Sequence, residues 1–172
     1  MKGLVLIFTG NGKGKTTAAL GQALRAAGQG LKVCFVQFIK GSWQTGEEKS
    51  LAHLKERIDF FVKGSGFTWQ AEDRDELIRE TRKAFDFAGD KISSGEYDMV
   101  ILDELTYLVK YGMVEEDEVV KMIRNRPETQ HLVITGRDAS DGLVAVADLV
   151  TEMREIKHPF SQGIKARKGI EF

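Results

Sequence analysis

With 172 residues, 25 basic and 26 acidic side chains and a formal net charge of −1, the chain is long enough for one sizeable core and too evenly charged for a broad nucleic-acid surface. Its single cysteine, Cys34, excludes an internal disulfide and a cysteine-based zinc site. No run reaches membrane-spanning length or has the make-up of a signal peptide, so a reducing cytoplasm is expected, without a membrane or nucleic-acid partner.

Residues 4–8 are a continuous apolar, β-prone run, which predicts a strand buried on both faces. Gly10, Gly12 and Gly14 interrupt it, and Lys15-Thr16-Thr17 open a segment over 18–27 with strong helix propensity. Strand, glycine-rich turn and helix start are the parts of a phosphate-binding loop. The glycines let backbone N–H groups form a nest, and the helix N-terminus adds partial positive charge. Lys15 is placed to reach the outer phosphates, and the Thr16 hydroxyl to ligate Mg²⁺. The usual spacing, G-x-x-x-x-G-K-[ST], puts a glycine where Thr9 stands; here it is displaced to Gly10, while Gly14-Lys15-Thr16 stand where the chemistry needs them. A nucleoside triphosphate is the expected ligand, with contacts from Thr9, Gly10, Asn11, Gly12, Lys13, Gly14, Lys15, Thr16 and Thr17.

Gly28 and Gly30 bracket a helix stop, and 31–39 reads as a second strand. A loop over 40–48, a short helix over 49–57 and a strand over 58–62 follow. Next come a glycine-broken loop over 63–70 and the longest helical stretch, 72–92. Residues 99–102 are an apolar strand ending on Asp103-Glu104. A charged helix over 115–126, with acids in its first turn, precedes a strand over 131–135. A short helix over 142–147, a strand over 149–156 and a tail over 158–172 close the chain. With two prolines and no low-complexity tract there is no visible linker, so residues 1–172 are expected to form one domain. Alternating strands and helices predict a mostly parallel α/β sheet covered on both faces, with its ligand outside the carboxyl ends of the strands. That edge gathers 10–17, 37–48, Asp103-Glu104 and 135–137.

An apolar strand ending in acid is where a phosphate-loop protein places its Mg²⁺ carboxylate, so Thr16, Asp103 and Glu104 are the candidate metal residues, the two acids unranked. Aromatics at i and i+2 after two glycines, Phe67 and Trp69, are costly to expose and suit either a packing lid or a hydrophobic platform for a flat substrate. Arg137, at a strand end, is placed either to fork onto phosphate or to form a structural salt bridge. Lys40 and Glu47 flank the loop after the second strand and are candidate nucleotide contacts. His53, His131 and His158 share no metal-ligand spacing and read as structural.

Seven segments occur in the order found in the phosphate-loop ATP:corrinoid adenosyltransferases, which this chain resembles. They are Thr9-Gly-Asn-Gly-Lys-Gly-Lys-Thr-Thr17; Gln37-Phe-Ile-Lys-Gly41 with Gly46-Glu47; Gly66-Phe-Thr-Trp69; Leu102-Asp-Glu-Leu-Thr-Tyr107; Thr135-Gly-Arg137; Ala147-Asp-Leu-Val-Thr-Glu-Met153; and Lys157-His-Pro-Phe160 with Gly169-Ile-Glu-Phe172. The resemblance implies a P-loop, RecA-like fold and transfer of the adenosyl group of ATP to Co(I) of a reduced corrinoid, with release of triphosphate. It implies Mg²⁺ (Mn²⁺ as a substitute), catalytic roles for Lys15, Thr16 and Glu104, and corrin contacts from Phe67 and Trp69. It further implies a homodimer supplied with electrons by a flavoprotein reductant.

Co(I) is itself a strong nucleophile, so the absence of any convincing catalytic triad fits this chemistry. Many relatives carry an N-terminal segment that covers the site. This chain begins three residues before its first predicted strand, so closure by such a segment is not assumed, and the C-terminal tail is expected to substitute only in part. The rival readings are a P-loop ATPase, a small-molecule kinase acting at the γ-phosphate, and a non-catalytic corrinoid carrier.

Overall fold

The computed structural model describes residues 1–39, 45–63 and 74–171. Its centre is a sheet of six strands, all paired in parallel: β1 (Val5–Thr9), β2 (Val33–Gln37), β3 (Ile58–Val62), β4 (Met99–Asp103), β5 (His131–Thr135) and β6 (Leu149–Glu152). The order across the sheet is β3-β2-β4-β5-β1-β6. β5 therefore separates the strand that leads into the phosphate loop from the strand that ends in the two acids.

The continuous apolar runs read in the sequence are buried on both faces because helices cover both. Along β2, Val33 and Phe35 face one cluster, with Ala19, Ala23 and Ala26 of α1 (Lys15–Gly28), while Cys34 and Val36 face the other. The second cluster contains Ala84, Phe85, Ala88 and Ile92 of α3 (Arg74–Ser93) and Val119 and Ile123 of α5 (Glu116–Asn125). The period of two along the strand sorts the side chains. Alanines on the buried face of α1 let its axis lie close to the sheet, with the loop before it held tight against the strand ends. Cys34 is fully buried, and burial pushes its thiol up to about 12, an inert small hydrophobe as expected.

The expected strands and helices recur, with shifts that have physical causes; most of the expected loops over 40–48 and 63–70 lie outside the described residues. α1 begins at Lys15 rather than residue 18, since Gly14 (φ 119°) turns the chain directly into the helix. α2 (Gly46–Leu51) starts inside the predicted loop and passes into a 3₁₀ turn at Ala52–Leu54. α4 (Thr106–Lys110) was not expected: five residues are too few for a periodic signal, and Leu105, Thr106 and Leu108 are held by burial. α5 lies inside the predicted 115–126, and α6 (Asp141–Val146) starts one residue before the expected 142. β6 stops at Glu152 instead of 156 because the next residue leaves the ladder. Met153 donates its N–H to Thr9 O at 2.8 Å and accepts the Gly12 N–H at 2.7 Å, which ties the chain to the phosphate loop. His131 Nδ1 accepts the Leu4 N–H and His158 Nδ1 the Phe160 N–H, so both histidines are structural as read.

Candidate functional site

The turn between β1 and α1 needs its glycines for two reasons. Gly10 (φ 96°) and Gly14 (φ 119°) adopt left-handed backbone. Gly12 has no such φ, but a Cβ on it would lie 2.8 Å from the carbonyls of both Met153 and Arg154. The chain just past β6 thus packs against the turn so closely that only hydrogen fits. The loop so formed points the first-turn N–H groups of α1, which have no helical carbonyl to bond, outward from the strand ends.

Lys15 is buried, and its ammonium donates to Gly10 O and Gly12 O, both at 2.8 Å. Burial lowers its pKa, opposed by the neighbouring charge of Glu104. The Thr9 hydroxyl accepts the Ala139 N–H at 3.1 Å. Thr9, Gly10 and Gly12 therefore shape the loop and hold its lysine.

The acids are organised by hydrogen bonds of one polarity. Glu104 N–H donates to Thr135 Oγ1 at 2.9 Å, and the same hydroxyl donates to Asp103 Oδ1 at 2.7 Å. Gln37 Nε2, level with Asp103 in the parallel register, donates to Oδ2 at 3.0 Å. Asp103 is fully buried; burial pushes its pKa up, and the bonds from Thr135 and Gln37, with the nearby Thr16 hydroxyl, hold it down.

Glu104 is different. It sits at φ 64°, a strained conformation for a non-glycine residue, and its buried Oε2 has no hydrogen-bond partner among the described residues. Burial first, and then the Asp103 charge, push its carboxyl up to about 7. The pair left unranked by the sequence is thus distinguished: Asp103 is a saturated hub, and Glu104 carries the open oxygen.

A cleft of about 540 Å³ opens above these groups. Lys13, Gly14, Lys15, Thr16 and Thr17 line it from the predicted nucleotide set, together with Glu104, Gln37, Glu47 and the tail residues Gly169, Ile170 and Glu171. Asn11 and Arg137 are exposed and outside that lining. The Arg137 carbonyl accepts the Thr106 hydroxyl at 2.6 Å, and its charge acts on Lys15 and Glu104. The expected corrin contacts Phe67 and Trp69 lie outside the described residues, as does Lys40.

The sequence reading placed Gln37 and Thr135 on the ligand edge and in two of the resembling segments but gave neither a role; both donate to Asp103. The signal available was their position, a polar residue closing an apolar strand beside the acid strand. The donor set fits a hard divalent cation shared with a polyphosphate. It offers a hydroxyl at Thr16 and an orphaned carboxylate oxygen at Glu104, and no cluster of three or more ligating side chains occurs among the described residues.

The chain matches over residues 1–172 the family model described as ATP:corrinoid adenosyltransferase BtuR/CobO/CobP. It is 44% identical over 171 residues to the corrinoid adenosyltransferase of Pseudomonas aeruginosa, covering 99% of this chain and 84% of that protein. It is 43% identical to that of Escherichia coli K12, covering 99% and 86%. Among solved structures, the flagellar accessory protein FlaH of Methanocaldococcus jannaschii superposes with a TM-score of 0.59 at 12% identity, covering 88% of this chain and 71% of FlaH. The RadB recombinase superposes with 0.55 at 14%, covering 91% and 77%. At those identities the likeness concerns the fold alone, a RecA-like P-loop sheet as expected.

Proposed function

This chain belongs to the ATP:corrinoid adenosyltransferase family, and we propose how its cleft serves that reaction. The enzyme transfers the 5′-deoxyadenosyl group of ATP to Co(I) of a reduced corrinoid. The cobalt electron pair forms a bond to the ribose C5′. The C5′–O bond breaks, and its electrons leave with triphosphate. The observation that carries this reading is the family match along the entire chain.

No proton need be removed from the nucleophile, so the residues act on the leaving group. The N–H groups at the start of α1 receive the triphosphate, and Lys15 turns from the Gly10 and Gly12 carbonyls to the phosphate oxygens. Thr16 and Glu104 would hold Mg²⁺, with Asp103 orienting Thr16; the ion when bound supplies positive charge beside the departing phosphates. Thr9 to Gly14 preserve the shape of the loop, and Arg137 adds a field of the same sign.

Phe67 and Trp69 are proposed to meet the corrin face, on the resemblance of Gly66-Phe-Thr-Trp69 to the family motif. Residues 1–172 are taken as one unit that binds both substrates. A homodimer, a cytoplasmic setting and a flavoprotein source of electrons complete the proposal; no helix among the described residues is long and apolar enough to cross a membrane.

The test is anaerobic incubation with ATP, Mg²⁺ and chemically reduced cob(I)alamin, following the visible spectrum and the phosphate product. A light-sensitive Co–C product with stoichiometric triphosphate supports the reading. One observation favours a second: Glu104, with its open oxygen and raised pKa, also suits a general base for water in an ATPase. That alternative predicts ADP and phosphate with no Co–C bond.

A further inference from the structure

The C-terminal turn is part of the cleft wall. Gly169, Ile170 and Glu171 line it together with residues 13–17 of the phosphate loop. The turn is closed on itself by three bonds: Ile170 N–H to Arg167 O at 3.1 Å, Glu171 N–H to the same carbonyl at 3.0 Å, and Arg167 N–H to Glu171 Oε2 at 2.7 Å. Gly169, at φ 81°, permits the reversal. Ile170 is thereby presented by its turn rather than buried in the core, and is 61% exposed.

Apart from threonine methyls, Leu20 and Ile170 are the aliphatic side chains among the described residues lining this cleft. Leu20 is fixed by α1 and packs partly against the core cluster containing Ala23 and Phe35. The remaining lining is polar, charged or glycine. A nucleoside triphosphate is chemically divided in the same way, with a polyanionic end that needs donors and cations and a purine whose faces need apolar contact. With the triphosphate at residues 13–17, the nucleoside is the part left to meet the aliphatic surfaces.

Resting on the ATP-binding reading above, we propose that Ile170, carried on the turn over residues 167–171, forms with Leu20 the apolar wall that receives the nucleoside of ATP. The tail then contributes affinity for the nucleoside and none for the triphosphate. Ile170 is a specificity-determining residue, and Glu171 and Gly169 position it.

The experiment measures binding of ATP and of inorganic tripolyphosphate, each with Mg²⁺, to wild type, Ile170→Ala, Ile170→Asp and Ile170→Leu by calorimetry. Because Ile170 is largely exposed, these changes leave the fold intact, which a melting curve checks. Removing three methyl-sized groups from a partly covered contact is expected to weaken ATP about tenfold. Tripolyphosphate should stay within about twofold of wild type, Ile170→Asp should lose more, and Ile170→Leu should keep its affinity.

Unchanged ATP affinity in Ile170→Ala and Ile170→Asp overturns the proposal. So does an equal loss for both ligands, which would place the turn at the phosphates. Wild-type protein that binds no ATP overturns the adenosyl-transfer reading itself. Wild type that binds ATP while the variants match it overturns only the role of Ile170.

Discussion

The Thr135 hydroxyl donates to Asp103 Oδ1 at 2.7 Å from the strand that separates the phosphate loop from the acids. The same oxygen accepts the Glu104 N–H, so one side chain holds both acids in place. Replacing it by valine strands a fully buried carboxylate oxygen and a peptide N–H. Thr135→Val should therefore lower stability by roughly 1–3 kcal/mol, and Thr135→Ser much less. Urea unfolding checks this: the midpoint should fall at an unchanged slope.

Lys15 donates to two loop carbonyls, and the proposed reaction has phosphate oxygens take their place. Lys15→Met should cut the adenosylation rate by about 10²–10³, the scale for removing a donor aimed at developing negative charge. Lys15→Arg should not restore it, because a planar fork does not fit where a single ammonium meets two carbonyls. Stopped-flow spectra of cobalt alkylation at saturating ATP measure both. A rate near wild type in Lys15→Met would remove the lysine from the mechanism.

Glu104 makes stability depend on pH in a defined direction. Its carboxyl is raised from 4.5 to about 7, so the folded chain holds a proton that the unfolded chain has released. That stabilising contribution is complete below about 4.5 and lost as pH rises through about 7. In chelator-treated protein, the melting temperature of wild type relative to Glu104→Gln should fall across that window and level off above it. A difference that is flat with pH would contradict the buried, charge-repelled setting of this carboxyl.

Two glycines separate close approach from flexibility. Gly12→Ala pushes a methyl against the carbonyls of Met153 and Arg154 and threatens the Gly12 N–H to Met153 O bond that ends β6. It should cost about 1–3 kcal/mol and weaken ATP binding as well. Gly89, inside α3, has no atom of another described residue within 4 Å of an added Cβ, the helix's own backbone aside. Gly89→Ala should instead stabilise by about 0.5–1 kcal/mol and leave ATP binding unchanged. Thermal melts with and without nucleotide compare the two.

Much of this protein is legible in local chemistry. The run over residues 4–8, the spaced glycines and Gly14-Lys15-Thr16 specify strand, nest and helix start with no knowledge of distant residues. Apolar strands alternating with helices are enough to imply a parallel sheet and a ligand at its carboxyl edge. The short helix α4 escaped notice because five residues carry no periodicity and its burial depends on what packs over it. The end of β6 escaped notice for a related reason, since it is set by a bond to residues about 140 positions earlier.

The ranking of the two acids belongs to the tertiary structure alone. Asp103 and Glu104 are adjacent carboxylates of near-equal intrinsic chemistry. One becomes a saturated hub and the other an open, proton-holding carboxyl because β2, β4 and β5 bring Gln37 and Thr135 alongside the first, while a left-handed backbone turns the second away. By itself the sequence determined the strand, the glycine turn and the helix start that carry Lys15 and Thr16, because backbone conformation, charge and helix ends are local properties. The strand order decided which carboxylate is free and placed the last turn of the chain on the cleft, because burial and hydrogen-bond saturation depend on neighbours that only folding supplies.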